Sequence, residues 1–156
     1  MENEKITVKE TFAQLARLCS RSEQCSPDIR RKILAAGHSE EEADEIIEML
    51  KKENFLNDER YVKAYVADKF RMNKWGKVKI RYYLKGKGLP DEIIQTGLEE
   101  IDDEKYKQAL LKILKDKAKS VKKKNKYEKM GQVIRFAQSR GFEPEIIHRY
   151  LNEVLE

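Results

Sequence analysis

Three glycines, Gly37, Gly88 and Gly141, stand at equivalent places in a pattern that occurs three times along the chain. When the chain is aligned on them, apolar residues fall four and eight positions before each glycine and at further matching positions after it. The aligned sets are Ile33, Leu84 and Ala137; Ile29, Ile80 and Val133; Ala43, Ile94 and Ile147; Ile47, Leu98 and Leu151; and Leu50, Ile101 and Val154. A period of about fifty residues is typical of helical repeat proteins, whose units bury their apolar faces by stacking on their neighbours.

The apolar spacing and the signals for helix starts and stops predict three helices in each copy. Thr7, Ser39 and Asn57 stand as N-caps before helical patterns, and Pro27 marks the start of another helix. An aromatic residue opens the first helix of each copy: Phe12, Tyr61 and Tyr106. The sequence therefore predicts an all-α protein, a tandem array of three three-helix repeats that is elongated and curved. The predicted repeats are residues 1–56, 57–103 and 104–156.

The third copy differs from the others by a longer connection between its first and second helices. The distance from the leading aromatic residue to the glycine is 25, 27 and 35 residues in the three copies. The extra length includes a run with seven lysines between Lys117 and Lys129. Either an extended helix end or a mobile basic loop fits this composition.

Charge is distributed unevenly along the chain. The three predicted repeats carry net charges of −3, +1 and +7, which favours an anionic partner for the later part without identifying it. The longest apolar runs have four residues and the N-terminus lacks the apolar segment of a signal peptide. We therefore expect a soluble, cytoplasmic protein without membrane association. The spacing of Cys19 and Cys25 matches no zinc or redox motif, so two reduced thiols are expected.

Residues 55–88 contain the most informative surface. Between Arg60 and Lys87, ten Lys or Arg residues stand against one acidic residue. The pattern predicts two helices that meet at a tight corner at Lys74, Trp75 and Gly76. The prediction is thus a basic helical unit that bears aromatic residues.

The second helix of this unit has a predicted buried face and a basic row beside it. At 100° per residue, Ile80, Tyr83 and Leu84 share one face. Lys77, Arg81 and Lys85 form a basic row beside it, four residues apart, and Tyr82 falls on the face away from Ile80 and Leu84. Three interpretations fit an exposed Tyr82 among cations: it stacks on a nucleic-acid base, it anchors a protein interface, or it only covers the aliphatic parts of lysine side chains. For Trp75, the alternatives are such binding or packing between repeats. The candidate partner- or DNA-binding residues are Arg71, Lys74, Trp75, Lys77, Arg81, Tyr82 and Lys85, with Lys122, Lys123 and Lys124 as a second patch.

Motifs of catalysis are not found in the sequence. Gly86-Lys87-Gly88 follows a predicted helix rather than a strand, so it is not a nucleotide-binding fingerprint. His38 and His148 lie in different repeats and are expected at the surface or at helix ends. The acidic residues 40–44 complement the dipole of a helix N-terminus. We expect no enzyme, no catalytic residues, no metal and no cofactor.

The succession from Phe55 to Tyr61, then Gly76 with Ile80 and Leu84, resembles the RecX family. Residues 87–101 continue that likeness, and Arg140-Gly141-Phe142 with Ile146 and Ile147 resembles the family's third repeat. The first repeat is similar more weakly, around Gly37 and residues 46–58. The resemblance covers nearly the whole chain and is carried mostly by helix-packing and capping positions.

The resemblance implies a non-enzymatic negative regulator of RecA recombinase that acts in DNA repair, recombination and the SOS response. Such proteins lie in the groove of the RecA–DNA filament, suppress ATP hydrolysis and strand exchange, and promote disassembly. The expected partners are the RecA filament and, more weakly, single- or double-stranded DNA, and a monomer is expected. The alternatives are a nucleic-acid-binding helical-repeat protein that acts without RecA, and a scaffold for another protein.

Overall fold

The computed structural model of the chain describes residues 6–122 and 125–155, with side chains as far as residue 154. This described part contains α-helices and no strand, which confirms the predicted all-α class. The helices form three groups of three, which we call the first, second and third repeats. They are α1 (Val8–Arg21), α2 (Ser26–Ala35) and α3 (Glu40–Lys52); α4 (Asp58–Arg71), α5 (Lys77–Gly86) and α6 (Asp91–Glu99); α7 (Asp103–Ser120), α8 (Lys126–Ser139) and α9 (Pro144–Leu155).

The second helix of each repeat ends at one of the aligned glycines. Gly37, Gly88 and Gly141 have φ angles of +97°, +98° and +96°, a conformation that glycine adopts without steric cost. In each case the amide of the next residue donates to the carbonyl five residues earlier, at 3.4, 3.4 and 3.2 Å. This hydrogen bond belongs to the Schellman motif that commonly ends helices. The three glycines are therefore equivalent in structure, as the alignment predicts.

The aligned apolar residues form the interior of the protein. Those four and eight positions before the glycines are fully buried in all three repeats. The buried side chains fall into two clusters. One is confined to the first repeat, and the other runs through the second and third repeats and includes Cys25. The second and third repeats thus share a continuous core, whereas the first repeat has a core of its own.

The second and third repeats are joined at the N-terminus of α5. The amide of Val78 donates to the Gly141 carbonyl, and that of Lys77 donates to the Tyr106 hydroxyl, both at 2.9 Å. Because α5 has no side-chain N-cap, the third repeat supplies acceptors for the first amides of this helix. A Cβ atom on Gly76 would lie 2.3 Å from the Gly141 carbonyl oxygen, so this joint requires glycine there.

The first and second repeats meet at the equivalent place, the N-terminus of α2, through polar contacts. The Asp58 carboxylate accepts a hydrogen bond from the Ser26 amide at 2.7 Å and another from the Ser26 hydroxyl. Lys87 Nζ donates to Asp28 at 3.0 Å. Burial alone would raise the pKa of Asp28, but hydrogen bonds from Lys87 and Cys25 hold it below its usual value. This joint therefore depends on ionised groups.

The third repeat accommodates its extra length by longer helices. α7 and α8 have 18 and 14 residues, whereas the corresponding α4 and α5 have 14 and 10. The described lysines at 117, 119, 126 and 129 lie in these helices, so the alternative of an extended helix end is correct for them. Lys122 is exposed between the two helices, and Lys123 and Lys124 lie outside the described residues.

The surface of the chain is large for its mass. The accessible area is 10258 Å², compared with about 8,200 Å² for a compact protein of 18.4 kDa. An array of small repeats accounts for this excess, since each unit contacts only its neighbours. Across residues 6–122 and 125–155, no helix has the length and apolar character needed to cross a membrane.

Candidate interaction surface of the second repeat

The connection between α4 and α5 is the tight corner that the sequence predicts. Lys74 adopts a φ of +59°, and the Trp75 amide donates to the Lys69 carbonyl at 3.1 Å. The Gly76 amide donates to the Arg140 carbonyl at 2.7 Å, which fixes the corner on the third repeat. The corner places the Trp75 indole beside the outer face of α5.

Three aromatic rings lie in succession along this face. The Trp75 and Tyr83 rings are stacked with centroids 5.0 Å apart, and Tyr82 meets Tyr83 edge-on at 5.3 Å. The Nζ atoms of Lys69 and Lys79 lie 4.9 and 4.7 Å from the centre of the Trp75 ring. We call these three aromatic residues and two lysines the aromatic surface. It combines π faces with positive charge.

Exposure within the aromatic surface departs in part from the sequence prediction. Tyr82 is 71% exposed, as expected. The sequence predicts that Tyr83 shares one face with Ile80 and Leu84, but these two residues are fully buried whereas Tyr83 is 45% exposed. Tyr83 lies at the edge of the apolar stripe, where the half-buried Trp75 covers its ring and leaves the rest in solvent.

The predicted basic row on α5 is not a line of free cations. Lys77 is half-buried, with Nζ 4.9 Å from the centre of the Tyr106 ring at the joint between repeats. Arg81 donates to Gln95 and lies 3.7 Å from Asp91, and Lys85 lies 3.3 Å from the same carboxylate. Arg81 and Lys85 thus share the single carboxylate of Asp91, so α6 offsets part of the charge of the row.

The other predicted residues lie elsewhere. Arg71 and Lys74 are exposed at the end of α4, beside a groove that α4 forms with α7. Lys122 follows α7 in the third repeat. The structure thus divides the predicted set among α5, this groove and the connection between α7 and α8.

Sequence reasoning missed several residues near Tyr82. An open pocket of about 740 Å³ beside it is lined by the predicted Lys85 and by four residues outside the predicted set, Tyr65, Tyr83, Gly86 and Lys87. Lys69 also lies close to the Tyr65 ring, with Nζ 5.4 Å from its centre. A signal was available, because an aromatic residue is followed by a lysine four positions later four times: Tyr65 and Lys69, Phe70 and Lys74, Trp75 and Lys79, Tyr83 and Lys87. Where both residues lie on one helix, as Tyr65 and Lys69 do, this spacing places the two side chains together.

The groups that could carry chemistry serve the fold where the structure describes them. His38 lies just past the end of α2, which is one of the two predicted alternatives, but it is buried rather than at the surface, with Nε2 2.7 Å from Thr11 Oγ1. His38 directly follows Gly37, just as Leu89 follows Gly88 and Phe142 follows Gly141, and these two residues are buried in the core of the other repeats. Burial raises the pKa of Cys25 to about 11, which keeps this thiol protonated and unreactive at neutral pH. Among the described residues, no group of His, Cys, Asp and Glu has the arrangement of a metal site.

A helical-repeat protein with an exposed aromatic and basic surface is a class built for binding other macromolecules. Two family models match the chain: the second three-helix domain of RecX over residues 57–98, and the third over residues 103–151. The chain belongs to the RecX family, whose curated members are named regulatory proteins.

Individual relatives support this assignment. The regulatory protein RecX of Clostridium beijerinckii is 31% identical over 141 residues, covering 89% of this chain and 65% of that protein. The RecX of Caldanaerobacter subterraneus subsp. tengcongensis is 30% identical over 148 residues, covering 94% of this chain and 72% of that protein. The chain spans 55% of the RecX of Clostridium perfringens (strain 13 / Type A), so it corresponds to part of that protein's length.

Solved structures show the same fold. The crystal structure of RecX from Lactobacillus salivarius superimposes with a TM-score of 0.87 at 19% identity, covering 94% of this chain and 96% of that one. A second crystal structure of regulatory protein RecX gives a TM-score of 0.81 at 18% identity, covering 91% of this chain and 71% of that one. At these identities the likeness concerns the fold alone.

Proposed function

We propose that this protein is a non-enzymatic, cytoplasmic negative regulator of RecA. It binds in the groove of the RecA–DNA filament and inhibits ATP hydrolysis and strand exchange. The observation that carries the proposal is the aromatic surface of the second repeat, in a chain of the RecX family. Its partner is the filament, and no step requires a catalytic group, metal or cofactor.

The aromatic surface suits contact with a filament that presents both protein and nucleic acid. Tyr82 offers an exposed ring, and exposed tyrosines near cations are frequent anchors in protein interfaces. Stacking of a base on an aromatic ring contributes about 1–3 kcal/mol. Lys69 and Lys79 add positive charge beside the rings, which favours phosphate without selecting a sequence.

A titration with and without RecA tests the proposal. Labelled single-stranded DNA is titrated with the protein at two salt concentrations, alone and as a RecA filament, and ATP hydrolysis is followed in the second case. We expect binding to depend strongly on RecA and ATP hydrolysis to fall as the protein is added. Tight binding to bare DNA with a steep salt dependence and no effect on RecA would contradict it. That result would instead favour the second candidate function, RecA-independent nucleic-acid binding, which the same exposed rings support.

A further inference from the structure

A groove of about 620 Å³ runs between α4 and α7, the first helices of the second and third repeats. Val66, Phe70 and Ile101 line it with apolar side chains. Val66 and Ile101 belong to the core that the two repeats share, and Phe70 packs partly buried against that core. Val66 and Ile101 are buried beneath the groove, and Phe70 is the part of this core edge that remains accessible in it.

Small residues keep the groove open. Ala67 projects from α4 and Ala109 from α7, and both line it. Small side chains on two neighbouring helices allow a further helix to approach them closely, since packed helix axes lie about 8–10 Å apart depending on the residues between them. The shape fits a third helix laid along the first helices of two repeats.

The rim of the groove carries cations without a partner. In the described part of the chain, no ion pair or hydrogen bond engages the side chains of Arg71, Lys74 or Lys105, all of which line the groove. By contrast, Lys63 lies 3.7 Å from Glu100, and Lys112 lies 3.0 Å from Asp116. Three positive charges are thus available to a ligand, beside an apolar floor.

Nucleic acid fits this groove poorly. Glu100, Asp102 and Glu104 also line it and would repel phosphates. The aromatic ring of the floor, Phe70, lies against Tyr106 with centroids 5.8 Å apart, and it is not presented as a free stacking platform. A nucleic-acid strand carries a phosphate at every nucleotide and could not keep all of them away from these carboxylates. A peptide can place its acidic residues beside the cations alone and its apolar residues on the floor.

We propose that this groove binds an amphipathic helix of a protein partner, with its apolar stripe on Ala67, Phe70 and Ala109 and acidic side chains against Arg71, Lys74 and Lys105. Binding of this helix requires neither DNA nor the aromatic surface, so it goes beyond the proposed function. The groove is formed by residues of both the second and the third repeats, so its shape depends on how these two repeats are placed.

The test uses two labelled helical peptides of about 18 residues, or five turns. Both carry leucines at positions i, i+3, i+4 and i+7; one has glutamates on its flanks and the other has lysines in their place. Fluorescence anisotropy measures their binding to the full chain without RecA or DNA. We expect the acidic peptide to bind at least about tenfold more tightly than the basic one. Equal binding of the two peptides, or no binding of the acidic one, overturns the proposal.

Matched variants then locate the binding. Ala67→Trp fills the groove, whereas Ala64→Trp adds the same ring at an exposed position of α4 outside it. We expect Ala67→Trp to weaken binding of the acidic peptide about tenfold, and Ala64→Trp to change this binding by no more than about twofold. Circular dichroism should show unchanged helical content in both variants. If the two tryptophan variants bind the acidic peptide equally well, the peptide lies elsewhere and the proposal is wrong.

A charge exchange separates recognition from a general structural effect. The double variant Arg71→Glu, Lys74→Glu should weaken binding of the acidic peptide and strengthen binding of the basic one. The control is Lys115→Glu, Lys119→Glu, which changes two exposed lysines of α7 outside the groove and should alter the binding of neither peptide. Weaker binding of labelled single-stranded DNA to Ala67→Trp, with peptide binding unchanged, would assign the groove to nucleic acid and overturn the proposal. Failure of RecA inhibition alone would leave these peptide results intact.

Discussion

Tyr82 is exposed in a way that the packing of the fold does not require. Its ring is 71% exposed and meets only the edge of Tyr83 among the ring contacts of the described residues. We predict that Tyr82→Ala changes the free energy of unfolding by less than about 0.5 kcal/mol, because little buried contact is lost. In contrast, the concentration needed to inhibit RecA ATP hydrolysis on single-stranded DNA should rise about tenfold. Tyr127→Ala is the matched control, since Tyr127 is 82% exposed in the third repeat. Equal inhibition by Tyr82→Ala and the parent would remove Tyr82 from the site.

Tyr106 has the opposite character, because its hydroxyl is part of a joint between repeats. It accepts from the Lys77 amide at 2.9 Å and donates to Glu143. Burial and then the bond to Glu143 raise the pKa of Tyr106, so the hydroxyl remains protonated. Tyr106→Phe leaves an amide at the start of α5 without its acceptor and should lower the free energy of unfolding by about 1–3 kcal/mol. Urea unfolding measures this. Tyr65→Phe, which loses no described hydrogen bond, should cost far less.

The site residues show how far side-chain placement can be predicted from sequence. Helical spacing alone places Tyr82 on the outer face of α5, and the structure agrees. The exposure of Tyr83 and the approach of Lys69 to Trp75 depend on the turn at Lys74, whose positive φ no local pattern announces. Pairing of the basic row with Asp91 follows from the packing of α6 on α5, which spacing along one helix cannot give.

At the scale of helices, the aligned glycines predict the ends of α2, α5 and α8. They do not predict that the turns differ in their surroundings. A Cβ on Gly37 would meet nothing within 4 Å, whereas one on Gly141 would lie 2.3 Å from the Lys79 Cβ. The difference arises because Gly141 packs on the preceding repeat, and contacts between repeats leave no periodic signal along the sequence.

A glycine series tests this joint. Gly37→Ala should lower the free energy of unfolding by about 1–3 kcal/mol, which is the cost of a positive φ at a residue other than glycine. Gly141→Ala adds a clash with α5 and should lose at least about 2 kcal/mol more. Gly86→Ala, at the end of α5 with no neighbour within 4 Å of the added Cβ, should be neutral or stabilise by up to about 1 kcal/mol. Chemical denaturation of the three variants gives the comparison. Equal losses for Gly37→Ala and Gly141→Ala would show that the two repeats are not closely packed at Gly141.

Across the whole molecule, the two joints are built differently. The second and third repeats share one core and exchange backbone hydrogen bonds. The first repeat has a separate core, apart from Cys25, and meets the second through polar contacts: Asp28 with Lys87, Ser26 with Asp58, Glu23 with Arg60, and Arg31 with the Lys87 carbonyl. The alignment of three similar copies does not reveal this division. Local opening of the first repeat should therefore require less free energy than opening of the other two.

Acid should weaken the first joint selectively. Because the pKa of Asp28 is lowered in the folded protein, its contribution is present above about pH 4 and is lost as the pH falls through the folded value. Hydrogen exchange followed by mass spectrometry should show protection in α1–α3 falling, relative to α4–α9, as the pH is lowered below about 4. Asp28→Asn should remove most of this relative change, whereas Asp116→Asn, which breaks a pair within α7, should not. Parallel loss of protection in all three repeats would mean that the chain opens as one cooperative unit, and that the polar joint couples the first repeat as firmly as the shared core couples the other two.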